Sequence, residues 1–494
     1  MRMGYRFFRF VAVTGACLVG AGAVVAQEPA ARLALPVAPG PEEPARGQSI
    51  TLAAALALAG TQSIDVQVAA ERVRIAYAAL SRARTAWLPT LYLGADYARQ
   101  DGRIQDIVGT VFPTNRTSLM VGVGPSAVFA PADAVLAPLA ARQTAAAREA
   151  GRQAAVNDST LAVAEAYFAV QQARGELAGA TDAARLAEDL TARAEKLVGL
   201  TSPVEVTRAK AELARRQQAV QAARERWETA SADLNRLLRL PPAAVLEPAE
   251  PPDLRVELFD PATPVDELIP MALTARPELA AQQALVQATL ARLKQEKLRP
   301  LIPSVVLRGN ATNPGGTLST GVFGGGVEGR VANSGLRNAF DVQVLWEVQN
   351  LGFGNRATVL EREAESRVAV LELFRTQDRV AADVVQAHAA LTRASNRAKL
   401  ADEGLKAAAE TVKTHLEGLA QTRRVGDTQV LVFRPQEAVA AVQALDQAYR
   451  DYVGAVADAN RAAFRLYRAV GRPPEDLRAG GESGMDVGFA SERR

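Results

Sequence analysis

Cysteine is nearly absent from this chain. Its single copy, Cys17, lies in an N-terminal stretch that reads as a discarded leader. With the leader removed no thiol is left, which suits an oxidising compartment. Histidine is almost as scarce: His388 and His415 stand 27 residues apart in one helical pattern, too far for metal ligation through local spacing. Neither charge sign dominates. Lys+Arg 57 against Asp+Glu 54 leaves a formal +3, and the basic residues are interleaved with acidic ones along helices. That pattern gives no electrostatic case for nucleic acid. No nucleophile, base and orienting group fall into a recognisable spacing, so no catalytic residue, metal or cofactor is expected and the chain does not read as an enzyme. The glycine-rich Gly321-Val322-Phe323-Gly324-Gly325-Gly326 has no Gly-Lys-Ser/Thr and reads as a loop. No apolar run of transmembrane-helix length is seen after the leader, which leaves strands as the only spanning option.

Proline is missing from two long tracts, and these organise the sequence. None occurs between Pro138 and Pro203, and none from Asn355 to Arg424. In the first tract Val163, Val170 and Leu177 stand seven apart, and Leu186, Leu190 and Leu197 continue the seam. In the second, Val384, Leu391, Ala398, Leu405, Val412 and Leu419 hold a seven-residue step. Such seams want partner helices. Each tract is broken by a tip: residues 198–203, with Gly199 and then Thr201-Ser202-Pro203 as stop and start signals, and residues 425–430, with Gly426. Two long helical hairpins with matching tips make duplication the economical reading.

Arg2, Arg6 and Arg9 before an apolar run mark residues 1–26 as a secretory signal, most simply cut after Ala26. A lipoprotein reading would put a lipid on Cys17, but Thr14 stands where a branched apolar residue is expected. Residues 27–48 are a flexible Pro/Ala/Glu-rich lead-in. The first repeat, 49–240, holds a helix, two strands at about 90–99 and 117–129, and the hairpin with tip 198–203. A Pro-rich connector, 241–264, separates it from the second repeat, 265–471: a helix, strands at about 303–312 and 338–349, and the hairpin with tip 425–430. Residues 313–338 read as a glycine-rich loop, and 472–494 as a flexible tail. The fold class is mainly α with a small β part.

The strands alternate. Leu91, Leu93, Ala95 and Tyr97 oppose Tyr92, Gly94, Asp96 and Ala98, and Phe340, Val342 and Val344 oppose Asp341 and Gln343. No companion apolar helix covers the apolar faces, so in water they would form an exposed patch. A membrane barrel wall wants this pattern, and four strands cannot close round a water-filled lumen, so several chains must share the wall.

The order helix, strand, strand, hairpin, occurring twice, resembles the TolC-like outer-membrane efflux proteins over about residues 49–471. The resemblance also rests on the strand entries Leu88-Pro89-Thr90 and Ile302-Pro303-Ser304 and on tips of Val-Gly type. It implies a homotrimer with a twelve-stranded β-barrel in outer-membrane lipid and an α-helical tunnel in the periplasm of a Gram-negative envelope. It implies a passive duct of a tripartite efflux or type I secretion system, working with an inner-membrane pump. A periplasmic adaptor would contact the tips at Val198, Gly199 and Leu200, and at Val425, Gly426 and Asp427. The acidic gate of the family is not found beyond the second tip, where Val432, Phe433 and Arg434 stand instead as the possible periplasmic gate. The alternative is a periplasmic adaptor or scaffold with helical hairpins. The exported substrate is not legible.

Overall fold

A computed structural model of the chain describes residues 47–196, 202–309, 320–327, 330–338, 340–419, 421–425, 428–431 and 434–472. The expected leader with Cys17, most of the lead-in and the tail from residue 473 lie outside the described residues.

The first repeat begins with β1 (Gln48–Ile50), α1 (Leu52–Gln62) and α2 (Ile64–Thr85). The strand pair β2 (Thr90–Gln105) and β3 (Val111–Phe129) leads into α3 (Pro131–Lys196) and α4 (Pro203–Leu238). After β4 (Leu246–Pro248) the second repeat runs α5 (Val265–Ala275), α6 (Pro277–Leu298), β5 (Ser304–Gly309), β6 (Thr320–Val327), β7 (Asn333–Asn338) and β8 (Phe340–Leu345). It closes with α7 (Phe353–Gly418), β9 (Thr422–Val425), β10 (Thr428–Leu431) and α8 (Pro435–Val470). The four helices of the first repeat are 11, 22, 66 and 36 residues long. Those of the second are again 11, 22, 66 and 36. At 1.5 Å per residue the longest are about 99 Å each.

The heptad seams are where burial falls. Val163, Val170 and Leu190 are buried in α3; Val384, Leu391, Ala398, Val412 and, just past the end of α7, Leu419 are buried, with Leu405 half-buried. Tyr167, Phe168 and Phe464 form an aromatic centre where α3 meets α8, with ring centroids 5.8 and 5.6 Å apart. Two glycines of α3 let α8 approach. A Cβ on Gly175 would lie 2.7 Å from Val453 Cγ1, and one on Gly179 would lie 2.8 Å from Tyr449 Cβ.

A buried charge network ties the hairpins together further along. Arg216 Nε donates to Glu212 Oε1 at 2.7 Å and its Nη1 to Asp446, which also accepts from Arg450 at 2.7 Å. Gln443 Nε2 reaches the other Glu212 oxygen at 2.8 Å. Glu212 and Asp446 are each 1% exposed, so every one of these bonds offsets the cost of removing a charge from water.

The Pro-rich connector is pinned rather than loose. Trp227 Nε1 donates to Leu246 O at 2.9 Å, Asn235 Nδ2 to Ala244 O at 2.6 Å, and Asn460 both accepts from Val256 N and donates to Leu254 O. Buried side chains thus satisfy the backbone groups of a segment with little secondary structure of its own. Its β4 pairs in parallel with β1. One 18-residue window within Leu52–Thr85 is apolar enough, by length and composition only, to pass for a membrane span, contrary to the expectation from sequence. The tract is two helices, not one: Ser63, with ψ 128°, breaks it, and α1 buries Ala55, Leu56 and Ala59 in the core.

The expected loop 313–338 contains β6 and β7. β3 is the spine of the sheet: β2 pairs along one edge for its whole length, and β5 and β6 share the other. Continued straight, the β3–β5 register would set residue 311 opposite Val123; Thr320 stands there, nine residues further on. β5–β6 is therefore one interrupted strand, and β7–β8, which flanks it, is the next. The sheet has four full-length antiparallel strands.

Gly179→Val should force Tyr449 or the α8 backbone to move. The expected cost is about 1–3 kcal/mol of overpacking, read as a lower thermal midpoint, whereas Gly151→Ala, with nothing within 4 Å of its Cβ position, should hold the midpoint or raise it, alanine being the better helix former.

Candidate functional site

Period-two alternation sets the character of the sheet's two faces. On one face Ala95, Val121, Val322 and Leu336 stand in a single row across four strands. Phe129, Val305 and Val344 form another row, with Leu93 beside Val123 and Tyr97 beside Leu119 between the two ends. These side chains are bare: Leu93 is 81% exposed and Leu336 72%. On the opposite face Gly94, Gly122 and Gly321 line up across three strands, flanked by Asp96, Ser126, Asp341 and Gln343.

The dimensions decide what the apolar face is for. Along β3 it runs from Leu119 to Phe129, about 34 Å at 3.4 Å per residue. At a strand tilt of about 40° that is about 26 Å of height, close to the apolar band of a membrane barrel, about 25 Å. Its area is on the order of 500 Å², large for a soluble monomer to leave in water. Beyond Tyr97 the same face turns polar, with Arg99 Nε 2.7 Å from Asp101 Oδ2. At the other end the exposed Trp87 and Trp346 lie where the strands meet the helices, a placement suited to an interface.

Comparison with known proteins follows this geometry. Residues 55–238 match the sequence model of the family described as outer membrane efflux protein. Over that stretch, rather more than a third of the chain, the sequence is similar to this family. The second repeat lies outside the matched residues, yet its helices have the same lengths as those of the first. Solved structures share the fold. VceC, an outer membrane protein of Vibrio cholerae, superposes with a TM-score of 0.66 at 16% identity over 85% of this chain and 96% of its own. The Campylobacter jejuni CmeC outer membrane channel gives 0.66 at 14% identity, over 88% and 90%. The open state of the Neisseria gonorrhoeae MtrE outer membrane channel gives 0.66 at 19%, over 86% and 89%. No curated protein matches the chain in sequence. What the chain shares with these structures is the fold, long helices with a smaller β part.

Of the residues expected at its functional ends, Val198, Gly199 and Leu200 lie outside the described residues, as do Gly426, Asp427, Val432 and Phe433. Val425 closes β9, and Arg434 is exposed at the N-cap of α8. At the second tip β9 and β10 form a hairpin. A two-residue Gly-Asp between short runs containing Val was the available signal.

Electrostatics away from the sheet serve anchoring. Tyr167, within the helical core, donates to Glu250, whose other oxygen accepts from Leu52 N at 2.9 Å. Burial first, and then that hydrogen bond, pushes the Tyr167 phenol above its ordinary range, so it stays a donor at all physiological pH. Among the described residues no group of three His, Cys, Asp or Glu side chains could hold a metal ion.

Leu93→Arg places a charge near the middle of the apolar face and should cost about 2–4 kcal/mol of membrane stability. Tyr92→Arg, one residue away on the opposite face, should insert normally. Outer-membrane abundance and refolding into vesicles compare the two.

Proposed function

We propose that three copies of this channel protein close one twelve-stranded barrel and that their helices continue it as a tunnel through the periplasm. The observation that carries this reading is the four-stranded sheet: apolar on one face, with a glycine row and polar groups among Tyr92, Met120 and Val128 on the other, and with both outer edges unpaired among the described residues. Unpaired strand edges cannot stand in hydrocarbon, so further strands must complete the wall. The 66-residue arms are long enough to carry the duct well beyond the membrane. The duct is passive. Energy comes from an inner-membrane pump, reached through a periplasmic adaptor that meets the tips at residues 198–200 and 425–427, in tripartite efflux or type I secretion.

In mild detergent the protein should run with the mass of three chains, and cross-linking before solubilisation should bring an adaptor and a pump with it. A folded, monodisperse monomer would overturn the barrel. The same reading narrows the duct at Val432, Phe433 and Arg434. Phe433→Ala should raise single-channel conductance in planar bilayers, and unchanged conductance would remove this gate.

A further inference from the structure

The pairing of β2 with β3 continues past the apolar band without a slip, so the face of each residue can be followed to the turn. On the outward face the apolar row ends at Tyr97 and Leu119, and Arg99, Asp101 and Arg103 follow. On the inward face Gln100 stands opposite Arg116 and Gly102 opposite Thr114. There the character reverses, and the next inward pair is Ile104 with Phe112. Ile104 is half-buried and Phe112 exposed, while Ile107 and Val108, at the turn itself, are bare. Turns in water favour Gly, Asn, Asp and Ser at such positions. The polar side chains of this turn instead build it. Asp106 Oδ1 accepts from Val108 N at 3.0 Å and from Thr110 N at 2.8 Å, Gly109 takes φ 94°, and Gln105 Nε2 donates to Gly109 O at 3.3 Å. Two apolar side chains are thus held out to solvent by a hydrogen-bonded turn, a broken local rule that points to a use elsewhere.

Support and reach decide where this apolar end goes. β6 accompanies β3 only as far as Arg116, which pairs with Val327. From there Asn115 to Val111, paired with Asp101 to Gln105, form a ribbon of two strands among the described residues, and such a ribbon is marginal alone in water. The link from β6 to β7 lies on the other face: a Cβ on Gly324, opposite Leu119, would be 2.7 Å from Val331 Cγ1. Leaning outward would press Arg99, Asp101 and Arg103 towards lipid. Leaning inward carries Ile104 and Phe112 towards the barrel axis. Gly102 allows that bend: it opens the inward face of the ribbon with φ 144° and nothing within 4 Å of its Cβ position. Twelve strands about 4.8 Å apart and tilted by about 40° make a barrel about 12 Å in radius. The ribbon from Asp101 to Ile107 is about 20 Å long at about 3.4 Å per residue, so it reaches the axis.

We propose that the β2–β3 apex is a contact surface between copies of this chain. Ile104, Ile107, Val108 and Phe112 of three copies meet on the barrel axis and close the outer mouth with an apolar plug. The occupant of each apex is the same apex of the other two copies. The plug rests on the trimeric barrel proposed above and adds a constriction at the end opposite the helical tips. An apolar constriction holds back water and ions until cargo parts it.

Cys17, in the expected leader, is the only cysteine of the sequence, so single introduced cysteines can be tested against wild type. Val108→Cys, at the apex, and Arg103→Cys, on the outward face, are purified as trimers and oxidised with copper phenanthroline. Val108→Cys should give a two-chain species on denaturing gels, the third thiol being left without a partner. Arg103→Cys and wild type should stay as single chains. In planar bilayers Ile104→Ser with Phe112→Ser should raise single-channel conductance by about twofold. A fluorophore on the Val108→Cys thiol should not be quenched by a nitroxide dissolved in the lipid phase. A Val108→Cys trimer that fails to cross-link, an unchanged conductance in the serine pair, or quenching from the lipid phase overturns the plug and leaves the barrel standing. A folded monomer in detergent defeats the barrel reading itself, and the plug with it.

Discussion

A strand edge in hydrocarbon must find a partner, because no water is there to satisfy its backbone groups. This constraint governs the chain more than any single contact. It makes four strands with two open edges an incomplete object, and it explains why their outer face keeps Leu93, Val121 and Leu336 bare. It also sets the division of labour between the two materials of the fold. In the proposed trimer the sheet is finished by other chains, while the helices bury their own seams through Val163, Val384 and Leu391.

Duplication is visible more sharply in lengths than in residues. Helices of 11, 22, 66 and 36 residues recur in order, and the departures fall in the links between them. In the proposed tunnel helix length fixes how far each hairpin reaches, so two hairpins ending at one level cannot drift apart in length, whereas links can grow. The single residue between α1 and α2, Ser63, has its counterpart in Arg276 between α5 and α6. Arg276 is 3% exposed and bonds to Asp383 at 2.9 Å.

The long arms were legible because a seven-residue step maps directly onto burial: Val384, Leu391, Ala398 and Val412 are all in the core. The strands with branched or aromatic residues were legible for the corresponding reason at period two. β6 was not, since Gly321, Gly324, Gly325 and Gly326 offer no side chains to alternate, and its pairing with β3 and β7 does the work that propensity would. The anchoring of the connector was hidden because it depends on distant partners: Asn460 serves Leu254 and Val256 from some 200 residues away. At the second tip the four-residue strands β9 and β10 were too short to carry a period.

The glycine row Gly94, Gly122 and Gly321 has a mechanical consequence for the wall. Bending a sheet crowds whatever stands on its concave side. A line of residues without side chains, crossing three strands at one height on the polar face, is a crease along which the sheet can fold toward that face. The apolar face, carrying branched residues at the same level, is left to spread on the convex side. Curvature is thus written into the sheet of one chain, and in the proposed trimer its direction places the polar face inside the cylinder.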